Sequence, residues 1–180
     1  RNVYSGMFAQ YANYGWQSSP ADPHKSQRPA LDRWILSRLT TVEHAVDEAL
    51  QVYDATTAVR TLMTFFVDDV SNWYVRQCRS RFYEVTSDDN RAAFATLHEL
   101  LVATCRLLAP FAPFVSDWIH RELTGESVHL ADFRRADPGP VDDELEASMD
   151  EVRTLSRLGR GAREEAGMNV RGAVGRALCV

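Results

Sequence analysis

The amino-acid sequence lacks a long apolar run. No stretch approaches the roughly 18 consecutive apolar residues of a membrane-spanning helix, and the opening RNVYSGMFAQ has no signal-peptide core. We therefore expect a soluble, cytoplasmic and monomeric protein without a membrane partner. Because the chain does not begin with methionine and stops within the apolar run RALCV, we also expect it to be a piece of a longer protein.

Cysteine is scarce, and the three thiols, Cys78, Cys105 and Cys179, are far apart in the sequence. Without a CxxC pair, they predict reduced thiols and not a disulfide framework or a structural zinc site. The five histidines are also dispersed, with no HExxH pair. We expect no metal in this chain.

Signatures of catalysis are missing as well. There is no GxGxxG or Walker phosphate loop, and the glycines of GRGAREEAG have the wrong spacing. Asp68 and Asp69 adjoin each other, but adjacent helix positions diverge by about 100°, so they cannot face one site as paired carboxylates. We expect that this chain catalyses nothing by itself and holds no cofactor.

Lysine is nearly absent, since Lys25 is the only lysine among twenty basic residues. The formal net charge is −5, but it is unevenly distributed. The range 117–151 holds eleven acids and three arginines, a net charge of −8, which leaves +3 for the rest. An acidic total therefore does not exclude a polyanionic partner, because the local field decides binding.

What the sequence has in abundance is helical spacing of apolar residues. The pattern predicts an all-α antiparallel helical bundle. Helices are expected over Val3–Tyr14, Leu31–Leu50, Ala55–Val85, Phe94–Leu108, Phe114–Leu123 and Leu145–Ala162, with Ser87 or Asp88 as a helix N-cap and Gly125 as a helix end. Trp34, Trp118, Phe111 and Phe114 are expected to pack in the bundle, and SVHLADF to be a brief extended piece.

The clearest boundary is Pro138-Gly139-Pro140. It predicts a helical bundle over 1–137 and a second region over 141–180. That region starts with an amphipathic helix, and MNVRGAVGRALCV then has β-like spacing, so we expect a short appendage that begins a mixed α/β junction.

One stretch, SNWYVRQCRSRFY from Ser71 to Tyr83, gathers arginines among aromatic rings. On an α-helix, Asn72, Arg76, Arg79 and Tyr83 would share one stripe, roughly 16 Å long. Guanidinium groups pair with phosphates or stack on bases, and rings and amides bind the unpaired bases of RNA loops. The same pattern also fits a salt-bridged helix face, so both interpretations remain open at this point.

Three segments in order, LDRWILSRL, DDVSNWYVRQCRSRFY and LLAPFAPFVSDWIHREL, resemble the C-terminal helical domain of class I aminoacyl-tRNA synthetases of the isoleucine, valine, leucine and methionine group. SRLGRGAREEAGMNVRGAV is most similar to the isoleucine-specific members, and the valine-specific members are the nearest alternative. Where those relatives usually have Val-Arg-Gln-Pro-Leu, this chain has Val170-Arg171-Gly172-Ala173-Val174.

The resemblance implies an anticodon-binding domain whose partners are a tRNA anticodon stem-loop and the rest of a synthetase chain. Asn2 and Trp73 stand at the positions implied to read the anticodon, with Asn72 and Arg76 beside the ring. Arg157 and Arg160, on one side of the last helix with Arg163, are candidates for the tRNA stem. Catalysis with ATP and magnesium is implied to lie outside these residues. A helical protein-interaction scaffold without an RNA role is the alternative of another class.

Overall fold

The computed structural model describes residues 16–83, 87–133 and 139–169, and every regular element within those ranges is helical. The chain divides into two compact units, Arg1–Asp142 and Asp143–Val180. The described ranges hold five α-helices: α1 (Ala30–Gln51), α2 (Ala55–Thr64), α3 (Asp88–Leu108), α4 (Pro113–Thr124) and α5 (Asp143–Glu165). Short 3₁₀ turns occupy Lys25–Gln27, Arg81–Tyr83 and Val128–Leu130.

These helices confirm the all-α fold. The expected first helix and the expected β-like end lie outside the described residues, and the division at 137 and 141 stays a prediction. The expectation of an extended piece at SVHLADF is wrong, because Val128–Leu130 forms a 3₁₀ turn that Ser127 caps with its side chain.

The first unit is an antiparallel bundle in which α1 packs against α2 and α3, and α3 packs against α4. Two contacts fix the direction of the first pair. Asp32 meets Tyr74 and Arg38 meets Asp69, so residue numbers rise along one helix as they fall along the other. The largest fully buried side chains line this interior: Trp34, Tyr74, Phe65, Ile35, Leu39, Leu62, Leu97, Leu100 and Leu107.

Local sequence signals account for most helix ends. Ser87 caps α3 by accepting a hydrogen bond from the Asn90 backbone N–H, as predicted. Pro113 stands at the first position of α4, where its missing N–H costs nothing. α4 stops at Gly125, whose φ of 80° belongs to the left-handed region that glycine enters without strain.

The second helix changes its winding in the middle. α2 continues without a break as π-type turns over Phe65–Val75, and Arg76 and Gln77 close it with α-helical geometry. We call residues 55–77 the long helix. π-type turns form i→i+5 hydrogen bonds, and the buried residues Phe65, Val70 and Val75 recur at that five-residue spacing.

Candidate nucleic-acid interface

Asn72 and Arg76 lie on the solvent side of the long helix, and both side chains are exposed. Gln77, five positions after Asn72, is exposed too, because a π-type turn brings residues at that spacing onto one side. Within the described residues, the Arg76 guanidinium forms no ion pair and no hydrogen bond. An amide and a cation are thus presented together to solvent.

Arg79 and Tyr83 are also exposed, but they lie beyond the end of the long helix. The chain forms a turn at 78–80 and then the 3₁₀ turn Arg81–Tyr83. The predicted continuous helix to about Val85 is therefore wrong, and Asn72, Arg76, Arg79 and Tyr83 do not follow one straight stripe. All four still fall within twelve consecutive residues, and each of the four side chains is exposed.

Trp73 is half-buried. It lies between the exposed Asn72 and the fully buried Tyr74 in the sequence, and its indole Nε1 is buried. We call the set Asn72, Trp73, Arg76, Arg79 and Tyr83 the Asn72–Tyr83 surface.

The third arginine of this stretch has a different environment. The Nη1 and Nη2 atoms of Arg81 donate to Oδ1 and Oδ2 of Asp32 on α1, each over 2.7 Å. The Asp32 carboxylate is fully buried, and it also accepts a 2.7 Å hydrogen bond from the hydroxyl of Tyr74. Such a two-pronged charged pair is among the strongest polar contacts in proteins.

Arg81 also reaches the start of α3. Its Nε donates to Oδ2 of Asp89 over 2.9 Å, and its Nη2 lies 2.8 Å from Oδ1 of the same carboxylate. The side-chain amide of Asn90 donates to the backbone carbonyl of Arg81 over 2.7 Å. Side chain and backbone of Arg81 are thus both fixed, which is the physical reason that the chain turns here and does not continue as a helix.

Burial and the electrostatics of this cluster set its protonation. Burial, followed by the charge of Asp32, raises the pKa of Tyr74 well above its ordinary value, and burial raises the pKa of the Cys78 thiol to about 11. Burial opposes the charge of Arg81, but hydrogen bonds and the charge of Asp32 outweigh it and raise the pKa of the guanidinium. At neutral pH, Tyr74 therefore keeps the proton that it donates, and Arg81 stays charged.

The neighbouring acids confirm that no carboxylate pair forms here. Asp69 is buried and lies 3.5 Å from Nη2 of Arg38, whereas Asp68 is exposed.

Among the residues that the structure describes, no group of three or more histidines, cysteines or acids could hold a metal ion. In the same residues, no helix is long and apolar enough to span a bilayer.

The remaining predicted site residues belong to other parts of the sequence. Asn2 lies outside the described residues. Arg157 and Arg160 are exposed on α5 in the second unit, where Nε of Arg160 donates to the backbone carbonyl of Ser156 over 3.2 Å.

The other singled-out aromatic residues divide into buried and exposed. Trp34 has no exposed surface, which confirms its packing role. Phe114 is 90% exposed, so its expected place in the core is wrong. The side chain of Trp118 is also partly exposed, at 45%. Both follow Pro113 on α4, a short helix that buries only Ser116, Ile119 and His120, so it offers little interior to cover its first turns.

Sequence reasoning missed two residues of the interface region. A helical period of 3.6 does not place Gln77 beside Asn72, and the sequence offers no sign of the π-type turns that do. Arg81 was grouped with Arg76 and Arg79, although its two acidic partners are 49 and 8 positions away. The chemistry of Arg81 alone gave no signal for that pairing.

Comparison with known proteins adds independent evidence. The family described as the anticodon-binding domain of tRNA ligase matches residues 32–174. The isoleucine–tRNA ligase of Streptomyces avermitilis is 43% identical over an alignment of 183 positions, and the alignment covers 98% of this chain. The isoleucine–tRNA ligases of Chlamydia caviae and Thermus thermophilus are each 42% identical and cover 94% of it.

The chain spans 17% of the length of each of these three relatives. The family match covers most of the first unit and continues through α5. A match over that much of the sequence is far more specific than any single motif. The chain belongs to the family of anticodon-binding domains of tRNA ligases.

Proposed function

We propose that this chain is the anticodon-binding module of an isoleucine–tRNA ligase and that it holds the anticodon stem-loop on the Asn72–Tyr83 surface. The observation that carries the proposal is an exposed amide, two exposed guanidiniums and an exposed phenol ring, with the half-buried Trp73 among them, all within twelve residues, in a chain of this family. RNA loops are bound by such groups, since unpaired bases stack on rings and guanidiniums pair with phosphates.

The proposed role is positioning. Binding energy at the anticodon orients a tRNA so that its distant acceptor end reaches a catalytic site, and such remote binding energy lowers the barrier of the chemical step. Activation of isoleucine with ATP and magnesium belongs, in this proposal, to other parts of a longer ligase. We further propose that Asn2 and the two α5 arginines, Arg157 and Arg160, add contacts to the same tRNA, and that the ligase is a cytoplasmic monomer.

A competition experiment tests the function and the amino acid together. The 180-residue chain is bound to a labelled isoleucine-type anticodon stem-loop, and unlabelled isoleucine-type, valine-type and scrambled loops compete for it in a fluorescence anisotropy assay. We expect the isoleucine-type loop to compete best. Preference for the valine-type loop would reassign the amino acid, and equal competition by the scrambled loop would contradict anticodon binding.

A further inference from the structure

Arg81 lies inside the proposed RNA-binding stretch, between Arg79 and Tyr83, yet its side chain is only 13% exposed. All three of its guanidinium nitrogens are engaged. Nε meets Asp89, Nη1 meets Asp32 and the Cys78 sulfur, and Nη2 meets both carboxylates. Because no nitrogen remains for a phosphate, Arg81 cannot bind RNA without breaking these contacts.

The contacts of Arg81 join α1 and α3 directly, and the long helix is joined to them through the hydrogen bond from Tyr74 to Asp32. Asp32 lies in the first turn of α1, Asp89 in the first turn of α3, and Tyr74 near the end of the long helix. The turn at 78–83, which carries Arg79 and Tyr83, is held against all three. Lysine could not replace Arg81, since an ammonium group cannot grip two carboxylates in a planar fork.

We infer that Arg81 is a positioning residue that holds Arg79 and Tyr83 in the arrangement that receives the RNA loop. This inference rests on the proposed function and adds the device that prepares its surface. A surface fixed before binding loses less conformational entropy when the ligand arrives, so pre-organisation appears as affinity. Asp32 and Asp89 act on RNA binding through Arg81, although both are acidic and would repel RNA directly.

The sign of the charge effect gives a sharp test. Asp89→Asn and Asp32→Asn each add one unit of positive charge near the proposed RNA site, so electrostatics alone predicts tighter binding of a polyanion. If the two acids act by positioning Arg81, their substitution should instead weaken the binding of RNA. We expect Asp89→Asn to weaken binding of the isoleucine-type stem-loop by about three- to tenfold, and Asp32→Asn to weaken it further.

Asp88→Asn is the matched control. Asp88 is exposed in the same first turn of α3, and it makes no hydrogen bond or ion pair with Arg81. Asp88→Asn therefore changes the net charge and the interaction with the helix dipole in the same way as Asp89→Asn, but leaves the Arg81 contacts in place. We expect it to leave the affinity unchanged or slightly raised. Hydrogen exchange of the backbone amides at 78–83 should be faster in Asp89→Asn than in Asp88→Asn.

Each outcome decides the inference. Weaker binding by Asp89→Asn than by Asp88→Asn, at a temperature where both are fully folded by circular dichroism, supports positioning. If Asp89→Asn binds the stem-loop as tightly as Asp88→Asn or more tightly, the inference is overturned. A lowered Tm of Asp89→Asn with unchanged affinity would assign Arg81 a purely structural role and would also overturn it. If Asp32→Asn does not fold, the milder Asp89→Asn, whose side chain is 47% exposed, still decides. Failure of the wild-type chain to prefer the stem-loop over a scrambled loop would instead contradict the proposed function.

Discussion

At the scale of single residues, the environment of each arginine decides its role. Arg76 and Arg81 are five positions apart in one stretch. Arg76 is exposed, and within the described residues its guanidinium forms no ion pair and no hydrogen bond. Arg81 is held by two carboxylates. Only the first can neutralise a phosphate at little cost, because the second would have to leave a buried partner unpaired.

Arg76→Ala is expected to weaken binding of the anticodon stem-loop several-fold and to make the dependence on salt less steep. Each neutralised phosphate contributes roughly 0.7–0.9 to the slope of log K against log salt, so the slope should fall by about that amount. The measurement is a series of titrations at increasing salt concentration, with helicity checked by circular dichroism.

The control for Arg76→Ala is Arg60→Ala. Arg60 is exposed on the same helix, and sixteen positions of separation place it several helical turns away. Arg60→Ala removes one positive charge, as Arg76→Ala does, but from outside the Asn72–Tyr83 surface. It should hardly change the slope of log K against log salt. Identical slopes for the wild type and Arg76→Ala would remove Arg76 from the interface.

Trp34 and Phe114 are both expected from the sequence to pack in the bundle, but their substitution by alanine should change the free energy of unfolding by different amounts. Trp34→Ala empties a fully buried site and should lower the free energy of unfolding by about 3–5 kcal/mol. Phe114→Ala removes a ring that is 90% exposed and should change it by less than about 0.5 kcal/mol. Urea denaturation measures both, and a large loss for Phe114→Ala would show that the ring is covered in solution.

At the scale of secondary-structure elements, periodicity predicted most helices of the first unit. α1, α3 and α4 begin and end within a few residues of the expected positions, because their apolar stripes follow a 3.6-residue period and their ends carry Ser87, Pro113 and Gly125. The long helix was predicted with the right start and the wrong end. No local signal predicts its π-type turns, and the turn after Gln77 is held by contacts of Arg81 with α1 and α3, which no local pattern encodes.

The candidate site was predictable to the same extent. The residue types of Asn72, Arg76 and Tyr83 left RNA binding and a salt-bridged helix face both open, and the family resemblance favoured RNA; the exposure of the three side chains agrees with that expectation. The separation of Arg81 from the other arginines was not predictable. It requires Asp32 and Asp89 to meet at one point, which only the packing of three helices produces.

The junction between α4 and the Val128–Leu130 turn should respond to acid through Asp117. Ser127 donates to this carboxylate over 2.6 Å and Arg121 over 2.7 Å, and together they lower the pKa of Asp117 to about 2. A carboxyl group whose pKa is lower in the folded state stabilises the fold above its unfolded pKa, near 3.8. That contribution is lost as the pH falls from about 4 towards 2.

Asp117→Asn keeps the shape of the side chain and removes its charge. The wild type should have the higher Tm at pH 6, and the difference between the two proteins should shrink as the pH falls through that window. Thermal unfolding at a series of pH values measures it. A Tm difference that stays constant from pH 6 to pH 2 would contradict the role of the Asp117 charge.

At the scale of the whole molecule, the net charge of −5 conceals a division of charge. The acids concentrate between 117 and 151, whereas the range 72–83, which contains the Asn72–Tyr83 surface, holds three arginines and no acid. Local fields of this kind act over about a Debye length, near 10 Å at 0.1 M salt. An acidic chain can therefore bind RNA at one face.

The central claim is that the anticodon stem-loop contacts the Asn72–Tyr83 surface, and an NMR titration of the 180-residue chain tests it most directly. With the isoleucine-type stem-loop, we predict that the largest chemical-shift changes occur at Asn72, Trp73, Arg76, Arg79 and Tyr83, and that a scrambled loop leaves these signals nearly unchanged. Changes confined to another face, such as Phe114 and Trp118 on α4, or equal changes with both RNAs, would contradict the account.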